Sequence, residues 1–504
     1  MQHTFLSAGI NNDQRSEHLA YRRSPIANTP TSFYQSNVFI ALGFAALCIP
    51  AISCKKLVSI PEPVTSVTTL EAFSSDAQAN SAISGIYQSM IQNTVGYACG
   101  STTIYLGMSA DELTDYYGSS DLGGYQFNSN QLLSNNSYVY SYFWADPYFS
   151  IYQANASIEA LNSPNGLSDS AKSELLGEAK FVRAFSYFYL TNLFGSVPLA
   201  ITSSYQNNTL LPRSTSEDVY HQIVSDLTEA EQSLLPDYSA AMGQRVRPNR
   251  WAAASLLARV YLYQQTWDSA VAESSAVISS GMYTLETDLT GVFSANSSEA
   301  IWQLDPNESF SPLYNITAEG YYFIPSAGYN PSAYLTDTLI NSFEPGDLRF
   351  TTWVDSINYN GILYYIPFKY NLGVDQISPG SNPTQFYMLL RFAEQYLIRA
   401  EAEAELGQTA AALSDLNTIR ARAALGPYSG AIDKASLLTA IEHENQIEFF
   451  CEWGHRWFDL IRWGNAATTL TNTKSISVPT SALLLPIPVQ ETQTDPNLGQ
   501  NPGY

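Results

Sequence analysis

The stretch RWAAASLLARVYLYQQTWDSAVAESSAVISS, residues 250–280, decides the fold. It reads as two helical segments, 250–264 and 267–280, with Thr266 as a cap between them and Gly281 closing the second. A later stretch repeats the design, with helical period over 385–406 and 410–424 and Gly407 at the break. The two pairs share a register. Ala258 and Ala270 stand 12 apart, as do Ala400 and Ala412, and Val277 and Ile419 each follow by seven. Small residues at those offsets let two antiparallel helices pack closely.

Both tetratricopeptide-like pairs and ordinary helix hairpins meet that spacing. Working outward, residues 216–236 place Val219, Ile223, Leu227 and Leu234 on one face. Ser216 is the expected cap there, Glu217 and Asp218 suit the helix dipole, and Pro236 ends the helix. Residues 171–194 form a longer helix stopped by Gly195, and a last helical stretch covers 437–463. The expected pairs are 77–92 with 149–162, 171–194 with 216–235, 250–264 with 267–280, and 385–406 with 410–424. Between them, 96–148 and 282–384 are rich in Gly, Pro, Ser, Asn and Tyr. A structureless loop of that length is improbable in one domain, so short strands, small helices and ordered functional loops are expected there. The reading is mostly α, with loop-rich, short-strand insertions in a single domain over 54–504.

Composition narrows the function. Only 14% of the 504 residues are charged, against roughly 25% in a typical soluble domain. The net charge is −23, which argues against a nucleic-acid binder that needs a basic face to displace counterions. Tyr (34), Phe (23) and Trp (8) are too many for a disordered acidic chain. A neutral, polar and aromatic surface suits uncharged ligands. The four cysteines (Cys48, Cys54, Cys99, Cys451) have no CxxC spacing, so neither a disulfide framework nor a zinc site is expected. Glu442-His443-Glu444 reads as a solvated helix face, and no metal or cofactor is expected. GxSxG, phosphate-loop and dinucleotide motifs are absent from the sequence.

Residues 38–53, VFIALGFAALCIPAIS, carry no charge, are short for a bilayer span and contain Pro50. An apolar run of this kind followed by small residues reads as a secretory signal over 1–53. It ends Ala51-Ile52-Ser53-Cys54 before Lys55-Lys56, which resembles a bacterial lipobox. Cys54 is thus the expected lipidation site; a buried cysteine after a core helix is the alternative.

Three further motifs carry a family resemblance. They are GEAKFVRA (177–184) with Tyr187 and LFGSVPL (193–199), EFFCEWGHRWFDLIRWG (448–464), and LLPIP (484–488) with DPNL (495–498) and QNPGY (500–504). In order and spacing they resemble signatures of the SusD/RagB family. The resemblance implies a SusD-like helical fold and an outer-membrane lipoprotein of Bacteroidota-type bacteria. It further implies a protein that faces the exterior, binds oligosaccharides without being an enzyme, and delivers them to a SusC-like TonB-dependent transporter. Peptide uptake of the RagB type is the alternative, and a secreted glycoside hydrolase a third.

In the first loop-rich region stands Asp111-Glu112-Leu113-Thr114-Asp115-Tyr116-Tyr117. Carboxylates accept hydrogen bonds from sugar hydroxyls and tyrosine rings stack on pyranose faces, so Asp111, Asp115, Tyr116 and Tyr117 are candidate ligand residues. Tyr321 and Tyr322 join them from the second region, after the strand-like segment Glu299–Gln303. Turns with surface acids would look the same. Trp144, Trp453, Trp457 and Trp463 read as packing residues, Glu452–Arg456 and Asp459–Arg462 as helix-face ion pairs.

Overall fold

The computed structural model describes residues 69–92, 94–306 and 312–504. The apolar run at 38–53 and Cys54 lie outside the described residues. Among the described residues, no helix is long and apolar enough to cross a membrane.

Eight helices carry the expected stripes: α1 (Asp76–Met90), α2 (Asp146–Asn162), α3 (Asp169–Phe194), α4 (Ser216–Ser233), α5 (Arg250–Tyr263), α6 (Trp267–Ser279), α7 (Phe392–Glu405) and α8 (Thr409–Arg422). Each packs on its successor, and α9 (Lys434–Glu448) closes on α7 and α8. The register alanines sit at the crossings. Ala258 and Ala270 are fully buried with Ile398 and Ala402 of α7. Ala400 and Ala412 are fully buried with Leu437 and Ile441 of α9. Without Cβ branches in the way, the helix axes approach closely and dispersion contacts accumulate.

Several local expectations change. Thr215, not Ser216, caps α4, its Oγ1 accepting the Asp218 N–H at 3.1 Å. Thr266 makes no side-chain cap bond. The segment expected as one helix over 385–406 opens instead with strand β6 (Tyr387–Arg391), and α7 begins at Phe392. Tyr-Met-Leu-Leu is apolar throughout and wholly buried, a run whose period does not separate a core strand from a core helix. The 437–463 stretch breaks between α9 and α10 (His455–Arg462), where Cys451, Trp453 and Gly454 all take positive φ. That reversal drives Trp453 into the core, its Nε1 donating to the Met388 carbonyl at 2.6 Å.

Besides a short antiparallel pair, Val197–Pro198 with Arg213–Ser214, the remaining strands are β1 (Leu113–Asp115), β2 (Ala300–Leu304), β3 (Ala333–Leu335), β4 (Val354–Tyr359) and β5 (Ile362–Pro367). They form two-stranded antiparallel ladders: β1 with β3, β2 with β6, and β4 with β5. The β4–β5 hairpin turns at Asn360-Gly361, both at positive φ, as a two-residue hairpin loop of this composition requires.

A buried ionic lock fastens the loop-rich insertion to the helices. Arg391 reaches Glu448 at 2.5 Å and Glu452 at 2.8 Å; Arg349 reaches Asp347 at 2.7 Å, Glu444 at 2.6 Å and Glu448 at 3.0 Å. Arg422 bonds both Glu299 and Glu448, and Lys369 bonds Glu452 at 2.5 Å. Glu444 is therefore no solvated face, and the expected Glu452–Arg456 pair does not form because Glu452 serves Lys369 and Arg391. Asp459–Arg462 does form, at 2.8 Å.

Candidate functional site

Strand β1 ends at Asp115, and its ladder with β3 pairs Thr114 with Tyr334 and Asp115 with Ala333. The pairing runs on, the Tyr116 N–H donating to the Ser332 carbonyl at 3.0 Å. The chain bends just after β1, and Tyr116 meets the tyrosines of the β4–β5 hairpin. Its ring centroid lies 5.6 Å from Tyr117, 6.3 Å from Tyr359 and 5.7 Å from Tyr364. Tyr364 in turn lies 5.0 Å from Tyr334. All four contacts are edge-to-face, the arrangement that the ring quadrupole favours. Tyr117 is 47% exposed. Half-exposed rings held by other rings present flat apolar faces at little entropic cost.

The second loop-rich region arrives beside them. Tyr322, on the short helix Ala318–Phe323, has its hydroxyl in the field of Asp115, Asp121, Tyr138 and Tyr117. Burial pushes that phenol up, and the two carboxylates reinforce the shift. Tyr138 donates to Asp121 Oδ1 at 3.1 Å and packs on Tyr105 at 5.0 Å and Tyr142 at 5.4 Å. Tyr138 begins at the edge of a π-helical stretch, Val139–Ala145, that leads into α2. Such wide turns re-aim side chains and recur at functional sites. Lys474 fastens the base of this loop, donating to the carbonyls of Met108 (2.5 Å), Ser109 (3.0 Å) and Asn128 (2.9 Å) and to Asn130 Oδ1 (2.7 Å).

The structure therefore brings Tyr116, Tyr117, Asp115 and Tyr322 to one face. Tyr321 joins no ring pair among the described residues and is half-buried against the core. Asp115 is largely buried, with Oδ1 accepting the Tyr117 N–H at 3.1 Å and Oδ2 without a hydrogen-bond partner. Burial pushes its carboxyl up to about 6, against the Tyr117 N–H that favours the charged form. Asp111 is a correction: only 1% exposed, it gives both carboxylate oxygens to Arg456 at 2.8 and 2.9 Å. Buried in that pair, it ties the loop to α10 instead of facing a ligand. Sequence reasoning missed Asp121, Tyr138, Tyr334, Tyr359 and Tyr364. The Tyr-Asn-Gly at 359–361 was the available signal for two of them.

Glu112 beside this face yields a test of its own. It is buried with Oε1 unpartnered; burial foremost, then Asp111, raises its carboxyl to about 8, against Arg456. A carboxyl raised in the fold contributes stability fully present below its unfolded pKa of about 4.3, and that contribution is lost as pH rises towards 8. Glu112→Gln removes the titration. The variant's thermal midpoint should rise relative to the parent's between pH 5 and 8, and a difference constant over that range would contradict the assignment.

Aromatic planes beside buried carboxylates thus stand on short strands anchored to a scaffold of paired helices. A family model described as starch-binding, associating with outer membrane, matches residues 70–262, and the model of the SusD family matches 354–504. The chain belongs to the SusD family. It is 25% identical to a SusD-like protein of Formosa agariphila, over 92% of this chain and 98% of that one. It is 24% identical to the starch-binding protein SusD of Bacteroides thetaiotaomicron, over 68% and 75%. Among solved structures, a laminarin-binding SusD-like protein superposes with a TM-score of 0.71 at 26% identity, covering 85% of this chain and 99% of that one.

Proposed function

We propose that this chain is a surface-exposed lipoprotein, acylated at Cys54, that captures neutral oligosaccharides and delivers them uncleaved to a SusC-like TonB-dependent transporter. The carrying observation is the ring cluster of Tyr116, Tyr117, Tyr359 and Tyr364 with Tyr322 and Asp115 beside it, assembled from two distant loop-rich regions. Pyranose rings stack on such planes through their C–H faces while their hydroxyls find the carboxylates and phenols. The relatives named for starch and laminarin binding support the ligand class. The net charge of −23 disfavours acidic glycans.

Calorimetry of the Cys54→Ala form of the full chain against α-1,4- and β-1,3-linked glucans tests this. Saturable binding is expected, nearly unchanged between low and high salt because no ion pair with the ligand is involved. Mass spectrometry of the recovered glycan should show its length intact; shortened chains would overturn the binding-only reading. In cells, Cys54→Ala should move the protein from the membrane fraction to the soluble one, since stable anchoring needs acyl chains as well as a partner. Mild detergent extraction of the parent should bring a large transporter with it, and recovery of the chain alone would count against the partnership.

A further inference from the structure

Away from the tyrosine face, a cleft of about 260 Å³ opens between α2, the segment 198–211 and the C-terminal helix Val489–Thr494. Its walls are fixed. Asn155 donates to the carbonyls of Ala200 (2.9 Å) and Thr202 (3.2 Å) while accepting from Arg183 at 2.8 Å, and Arg183 is itself clamped to Asp226. Tyr148 donates to the Pro198 carbonyl at 2.8 Å and packs on Trp144 at 5.1 Å. The cleft thus exists before any ligand arrives.

Its lining pairs one free aromatic plane with neutral or acidic hydrogen-bonding groups. Tyr152 lines it at 52% exposure, and the Tyr152 hydroxyl makes no hydrogen bond among the described residues. Asn208, Thr494 and Glu491 also line it, and the Glu491 carboxylate is half-buried and held by the Trp144 side chain. No Lys or Arg lines the cleft. Phe149, Ile201 and Leu210, each next in sequence to a lining residue, are exposed.

A purely apolar guest would strip water from the Glu491 carboxylate and leave it only the Trp144 side chain as donor. An anionic guest would meet that carboxylate and find no cation. What fits is a molecule with an apolar face and hydroxyl donors around its edge. The volume lies just below that of drug-sized ligand pockets, roughly 300–1,000 Å³, and suits a guest of one or two rings.

We propose that this cleft is a second saccharide site, taking one or two neutral pyranose units, with Tyr152 as the stacking plane and Glu491 as acceptor. It shares the ligand class of the preceding reading but none of its residues. An oligosaccharide or a second chain end held here would raise the effective concentration at the first face.

The test is calorimetry of the Cys54→Ala full chain with glucose disaccharides and heptasaccharides, α-1,4- and β-1,3-linked. The parent, Tyr116→Ala/Tyr117→Ala, Tyr152→Ala and Glu491→Gln are compared, each with its circular dichroism checked. In the Tyr116→Ala/Tyr117→Ala background, saturable disaccharide binding should persist. Adding Tyr152→Ala should weaken it at least tenfold, and Glu491→Gln severalfold. Residual binding indifferent to both changes, or no saturable binding in that background, overturns the second site. Loss of binding through Tyr152→Ala alone, with Tyr116→Ala/Tyr117→Ala silent, overturns the tyrosine face instead and leaves the cleft standing.

Discussion

Glu448→Ala should lower the unfolding free energy by about 3–5 kcal/mol, the scale for breaking a fully buried ion pair. Glu448 has no exposed surface and meets three guanidinium groups, those of Arg349, Arg391 and Arg422. Burial alone would raise its carboxyl, but Arg422, Arg391 and Arg349 overcome that and hold it well below the usual carboxylate range. Removing it leaves cations that neither water nor the remaining acids neutralise fully. The pH dependence follows from the sign of that shift. A depressed carboxyl contributes stability present above its unfolded pKa and lost as pH falls through the folded one, so the gap between parent and variant should narrow in acid. Denaturant titration at neutral and acidic pH checks both. A loss below about 1 kcal/mol, the scale of exposed pairs, would mean the lock is not closed in solution.

Gly320→Ala should cost about 3 kcal/mol, the upper end for overpacking a filled site, and should weaken ligand binding as well. A Cβ at residue 320 would stand 2.1 Å from the Leu372 carbonyl oxygen, and backbone cannot turn aside as a flexible side chain does. On the other side, Gly373 is equally confined, by Ile324. The helix Ala318–Phe323 must then shift, and Tyr322 moves with it away from Asp115 and Asp121. Gly426→Ala meets nothing within 4 Å and serves as the silent control. If Gly320→Ala melts and binds like the parent, the close approach of the two loops is wrong.

The scaffold was legible because its information is local. Ala258 and Ala270, or Ala400 and Ala412, repeat within one helix pair, and period alone places them at a crossing. Tyr387–Leu390 was not, since an all-apolar run bears the same pattern in either conformation. The site was half legible for the same reason. Asp115-Tyr116-Tyr117 stands in one stretch of sequence, whereas Tyr359 and Tyr364 reach Tyr116, and Tyr334 reaches Tyr364, only through the β1–β3 ladder and the hairpin beside it. Asp111 looked like Asp115 in the sequence. What separates them is Arg456, 345 positions away, which takes one carboxylate and leaves the other.

Paired tyrosine planes on this face are proposed to hold a neutral sugar chain. The most direct test is the affinity of the Cys54→Ala chain for a glucan that binds the parent, measured by calorimetry after Tyr116→Ala and Tyr117→Ala, singly and together. Each ring should be worth roughly 1–2 kcal/mol of buried area and aromatic contact, about five- to thirtyfold in Kd, with the pair losing more than either alone. Ile432→Ala, exposed and remote in sequence from the face and from the cleft, should leave that affinity within a factor of two or so. Full parental affinity in the double variant would contradict the account.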